Sequence, residues 1–268
     1  MKRRVLFLLI ALCALTGLFP AAAEISPSAF ALSGAADPSA SPDSQAGTLE
    51  AHPAQPGQTG ALGYLLYAPA GAEAGMPLVV YLHGGSGKGS DLSTLTENDG
   101  FPQYLSDGRL GEVPAYVLIP QMPSSAMGWT DVREALYALV TSVVEQHGID
   151  AGRISLTGHS MGGTGTWEIA LLYPDLFSCI APLSGSIRTT EENLSAFSGL
   201  PVWAFVGTED TVVSPNSSRQ FIFELKKSNP EANITVIEGA THFDVPSMVY
   251  LDPDIGLLSW LTSTEKSS

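Results

Sequence analysis

Ser160 lies in the run Gly158-His159-Ser160-Met161-Gly162, which fits the pattern G-x-S-x-G. In that pattern the serine sits on a sharp turn between a strand and a helix, with its hydroxyl exposed. The flanks agree with such a turn. Arg153 to Thr157 is a short β-prone run, and Gly163 to Leu172 reads as a helix that opens on small residues. The turn is strained, and side chains two positions either side of the serine would collide, so glycines belong at 158 and 162. The chemistry offered is nucleophilic attack. A serine hydroxyl is weak by itself and needs a neighbouring base, which in turn needs an acid to orient it.

Five histidines could supply the base. His52 falls in an irregular leading stretch, and His83 precedes the serine in the chain. His147 ends a helix, away from strand ends, and His159, next to the serine, points away from it. His242 follows the last strand in Gly239-Ala240-Thr241-His242-Phe243-Asp244, the order serine, acid, histidine of one recurrent triad. The acid should follow the strand that ends at Val206. Asp210 is the first choice there and Glu209 the second; Asp244 is too close in sequence to His242 to orient its ring. A developing oxyanion needs backbone N–H donors. One is expected from Met161, and the other from the turn His83-Gly84-Gly85-Ser86-Gly87, where Gly84 and Gly85 stay unseparated. That turn is not a phosphate loop, because Lys88 is followed by Gly89 rather than Ser or Thr. Trp129 is expected to wall the acyl or leaving-group pocket. No metal-ligand spacing occurs, and no cofactor is expected.

These residues need a scaffold whose strand ends converge. Leu62–Tyr67, Leu78–Leu82, Tyr116–Ile119, Arg153–Thr157, the run around Cys179, Val202–Val206 and Ile234–Ile237 read as strands. Val132–Gln146, Gly163–Leu172, Ser217–Lys227 and Val245–Leu261 read as helices, the last interrupted by Pro253. Such alternation predicts an α/β fold, a mostly parallel central sheet with helices on both faces. Sites in such sheets form where loops leave the carboxyl ends of strands. Each candidate above occupies such a loop.

The ends of the chain read differently. Lys2-Arg3-Arg4, the apolar run from Val5 to Phe19 and Ala21-Ala22-Ala23 have the form of a cleavable export signal over residues 1–23. Residues 24–60, rich in Ala, Ser, Pro and Gly, read as a flexible tether, and residues 61–264 as the catalytic domain. A secreted or periplasmic protein with no stable membrane anchor is expected. Twelve Lys and Arg stand against 27 Asp and Glu, a formal net charge of −15. That balance argues against nucleic acid as a partner, since a phosphate backbone needs a basic stripe. Cys13 falls within the signal, which leaves Cys179 without an intrachain partner; its apolar surroundings suggest a buried structural thiol.

The chain resembles the exported α/β-hydrolases of the esterase and predicted-peptidase group. These are the polyhydroxybutyrate-depolymerase-like and feruloyl-esterase-like enzymes and the catalytic domains of prolyl oligopeptidases. The resemblance runs from about Leu62 to Leu261. It rests on Leu82 to Gly87 with Gly89-Ser90-Asp91, on Pro120-Gln121, on Gly158 to Gly163 with Gly165-Thr166-Trp167, on Tyr173 to Phe177, and on Val202 to Asp210. It implies a triad of Ser160, Asp210 and His242. One departure is Thr241-His242-Phe243-Asp244, where members of the group often read Gly-His-Asp-Ser. The expected activity is cleavage of a small-molecule or polymer-linked carboxylic ester through an acyl-enzyme. Too few residues lie between Ser184 and Leu200 for a large lid. Peptidase activity on the same triad and a catalytically silent binding module are the alternatives.

Overall fold

The computed structural model describes residues 47–54, 61–98 and 100–266. The export signal and most of the tether lie outside the described residues.

Eight strands form one sheet: β1 (Thr48–His52), β2 (Tyr64–Ala68), β3 (Leu78–Leu82), β4 (Tyr116–Pro120), β5 (Ile154–His159), β6 (Cys179–Leu183), β7 (Trp203–Gly207) and β8 (Asn233–Ile237). Their order across the sheet is β1-β2-β4-β3-β5-β6-β7-β8. From β4 to β8 all neighbours are parallel, whereas β1–β2 and β2–β4 pair antiparallel. This is the expected α/β architecture, with β5 at its centre.

The helices are α1 (Ser93–Asn98), α2 (Gly100–Ser106), α3 (Arg133–His147), α4 (Met161–Leu172), α5 (Glu191–Ala196), α6 (Pro215–Leu225), α7 (Val245–Tyr250) and α8 (Leu257–Ser263). The two-residue period of the strands sorts them into layers. Leu78, Val80 and Leu82 of β3 join one apolar cluster with α3, α4 and α6 through Val140, Trp167 and Phe221. Val79 and Tyr81 join the opposite cluster with α2, α7 and α8 through Phe101, Val249 and Leu261. β3 and β4 are buried along their whole length, which is why they read as unbroken apolar runs. Cys179 is fully buried among the second cluster, and burial pushes its thiol up to about 12.

One expectation needs correction. The tether does not extend to Gly60 without structure, because Thr48–His52 forms the edge strand β1. Three of its five residues are exposed and Leu49 is its one large apolar side chain, so it lacks the unbroken apolar run of the inner strands. The closing helical segment is interrupted around Pro253, as expected, and consists of two short helices, α7 and α8. Gly256, in the left-handed conformation at φ 69°, caps the start of the second. The link from β6 to β7 carries only the six-residue α5, so among the described residues no large lid is inserted there.

Candidate active site

β5 delivers Ser160 at the middle of the sheet. Ser160 has φ 61° and ψ −119°, a conformation that L-residues adopt only under constraint. The constraint is close packing of the elbow on β3. A Cβ on Gly162 would lie 1.8 Å from the Leu82 carbonyl oxygen, and one on Gly158 would lie 2.5 Å from it. The Ser160 N–H donates to Leu183 O and its carbonyl accepts from Thr164 N–H, so both backbone groups tie the turn to β6 and α4.

Loops from β7 and β8 bring the partners. His242 Nε2 lies 2.8 Å from Ser160 Oγ, and its Nδ1 lies 2.8 Å from Asp210 Oδ2. With Nδ1–H donating to the carboxylate, Nε2 is free to accept the serine proton. Asp210 Oδ1 accepts from the N–H groups of Val212 and Val213 at 2.9 and 2.8 Å. Burial alone would raise the Asp210 carboxyl. The hydrogen bonds from His242 and from Val213 N–H outweigh it and hold the group below the usual Asp range. The acid is therefore ionised where an imidazolium would need it. Glu209, the second choice for the acid, donates its backbone N–H to Ala240 O.

Met161 opens α4, so helix geometry offers its N–H no carbonyl. The turn after β3 is a short 3₁₀ segment, Gly85–Gly87, preceded by Gly84. Gly85 is exposed, with nothing within 4 Å of where a Cβ would stand, whereas Gly84 is buried.

This turn is held from behind. The buried His83 ring has Nδ1 2.6 Å from Gly84 O, while Nε2 accepts from Met122 N–H at 3.0 Å. Burial pushes that imidazole down to about 4, so it stays neutral. Gln121 Nε2 lies within 3.1 Å of Gly87 O, Asp91 O and Thr94 Oγ1. Trp129 is not a pocket wall. It is fully buried, donates its indole N–H to His83 O at 3.2 Å and fills the space beside Gly165. Its bulk supports the turn instead of meeting substrate.

His159 is the residue the sequence reading underrated. Its ring packs against the base. Its Nε2 lies 2.9 Å from His242 O, and the two imidazoles sit 4.6 Å apart. Burial, then the neighbouring His242, push His159 down to about 4. A neutral ring with Nε2–H donating fits that contact. The identity of the residue before the serine was the only available signal.

The comparisons with known proteins agree with this geometry. The Dienelactone hydrolase family profile matches residues 121–247, a span that includes the serine, the acid and the histidine. A poly(3-hydroxyalkanoate) depolymerase C of Paucimonas lemoignei is 28% identical over 133 residues, covering 44% of this chain and 30% of that protein. The crystal structure of a thermostable esterase superposes with a TM-score of 0.70 at 25% identity, over 81% of this chain and 63% of that one. The chain thus spans less than two thirds of either relative. A feruloyl esterase module from Clostridium thermocellum, solved with sinapinate, gives a TM-score of 0.64 at 18% identity, covering 85% of this chain and 94% of that module. The chain has an α/β-hydrolase fold of the esterase type, with a serine, histidine and aspartate arranged as a catalytic triad.

Proposed function

We propose that this protein is a serine hydrolase that cleaves carboxylic esters through an acyl-enzyme. The observation that carries the reading is His242, hydrogen-bonded to Ser160 on one nitrogen and to Asp210 on the other. Ser160 Oγ attacks the ester carbonyl while His242 Nε2 takes its proton. The N–H groups of Met161 and Gly85 receive the negative charge that gathers on the carbonyl oxygen. The C–O bond to the alcohol then breaks, and His242 returns the proton to the departing oxygen. Water, activated by the same histidine, releases the acid and restores the serine. Asp210 keeps the ring in the required tautomer throughout.

Export belongs to the same reading, resting on the basic and apolar pattern of residues 1–23, with residues 61–264 as the catalytic part. Among the described residues no helix is long and apolar enough to cross a membrane. The substrate is a small or polymer-linked ester able to reach a site without a large lid.

Incubation of the purified protein with a fluorophosphonate, followed by peptide mass mapping, tests the nucleophile. The expected adduct is on Ser160, with ester hydrolysis lost in Ser160→Ala. An unlabelled Ser160, or a Ser160→Ala variant that still turns over nitrophenyl esters, rules the mechanism out.

A further inference from the structure

Phe243 directly follows the candidate base and is 77% exposed. An isolated exposed aromatic is ordinary on a protein surface. This one is distinguished by what it touches and how it is held. Its ring stands edge-to-face on the His242 imidazole, 5.3 Å between centroids at 89°. The turn carrying it is closed by three bonds. Thr241 N–H and hydroxyl both donate to Asp244 Oδ2, and Asp244 N–H donates to Thr241 O at 3.2 Å. Ala240 and Val245, on either side of the turn, are buried. The backbone that carries the ring is thus held, and the ring itself is open to solvent.

Sheet order decides which half of a substrate it would meet. The oxyanion turn follows β3, on one side of β5, while His242 follows β8, on the other. The carbonyl oxygen of a bound ester points toward the first side. The alcohol oxygen must come within hydrogen-bonding reach of His242 Nε2 to collect its proton. Phe243, packed on that imidazole, lies on the alcohol side. The charges nearby are acidic: Asp244 follows it, and Glu209 is tied by its backbone to Ala240. Neither the 207–214 loop nor the 239–244 turn contains Lys or Arg.

We propose that Phe243 selects the leaving group, taking the apolar face of an uncharged aryl or alkyl alcohol and disfavouring an anionic one. The inference rests on the ester-hydrolase reading above. In acylation the bond from Ser160 Oγ to the acyl carbon forms and the bond to the alkoxy oxygen breaks. The serine proton passes through His242 to that oxygen. Phe243 acts while the alcohol is present, so it influences acylation and not the later attack of water.

The test holds the acyl group constant. Ethyl acetate, phenylpropyl acetate and the acetate ester of a hydroxy acid are compared in wild type, Phe243→Ala and Phe243→Leu. Wild type should favour the phenylpropyl ester and discriminate against the anionic one. Phe243→Ala should lower kcat/KM for phenylpropyl acetate about tenfold more than for ethyl acetate, the scale of one aromatic contact. Phe243→Leu should recover part of that preference, and the ratio between ethyl acetate and ethyl butanoate should not follow it. A phenylpropyl-to-ethyl ratio that does not move in Phe243→Ala overturns the proposal, as does a change confined to the acyl series. Failure of wild-type Ser160 to take up a fluorophosphonate overturns the hydrolase reading itself. A labelled Ser160 with no leaving-group dependence overturns the role of Phe243 alone.

Discussion

The two turns that flank Ser160 are built differently. His83–Gly87 presents backbone N–H groups, and its shape is set by buried side chains behind it: His83, Gln121 and Trp129. Thr241–Asp244 presents a side chain, and its own shape is closed mainly by hydrogen bonds at the surface. A backbone donor has no torsion of its own to adjust, so the whole turn must be held rigid for it to aim. A histidine can be aimed one residue at a time, by Asp210 on its ring and by His159 on its carbonyl. In the proposed mechanism the oxyanion side therefore depends on the interior of the domain, and the base side on a few specific contacts.

The largest effect tests that dependence on single contacts. Asp210→Asn keeps the shape but removes the charge, and kcat for any ester turned over should fall about ten-thousandfold, the order seen when a triad loses its acid. His83→Leu leaves Met122 N–H and Gly84 O without their ring partner. It should reduce kcat about a hundredfold, since oxyanion donors act in the transition state. It should also cost roughly 2–4 kcal/mol in chemical denaturation, the price of orphaning two buried polar groups. His159→Phe keeps a ring against His242 but removes one donor, and a decrease in kcat of about tenfold or less is expected. Asp244→Ala is the mildest, with kcat within about twofold of wild type because the bonds it breaks are solvent-exposed. A Michaelis series on one ester orders all four. Should Asp244→Ala prove costlier than His83→Leu, the contrast between the two turns is wrong.

Acid sharpens the same contrast. His83 and His159 each fall from 6.5 to about 4 in the folded chain, chiefly by burial. Between those values the unfolded chain binds protons at both sites and the folded chain does not. Stability should therefore be full above about pH 6.5 and decline toward pH 4, by on the order of a few kcal/mol. Asp210, held below its usual range, adds a loss at still lower pH. Thermal melts across this window check the slope, which should shrink in His83→Leu and in His159→Phe.

Particular residues show what was legible beforehand. β3 and β4 were readable because burial on both faces leaves an unbroken apolar run. β1 was not, because an edge strand pairs through its backbone and its exposed side chains need no pattern. The helices α1 and α2 were missed: they span only six and seven residues, and tertiary contacts hold such short pieces more than their own propensity does. Trp129 could be placed at a strand end but not on a side of the loop. Its burial behind the turn is a packing outcome.

The sequence by itself determined the reactive order: a serine in a glycine-bounded elbow, an acid after the next-to-last strand and a histidine after the last. Those are local patterns of residue type and spacing, and they survive without knowledge of distance. Only the tertiary structure decided between Asp210 and Glu209, turned Trp129 inward and set His159 and Phe243 against the base. Each of these is a question of direction in space. It is answered by which side chains fill the volume behind a loop and which are left facing the solvent.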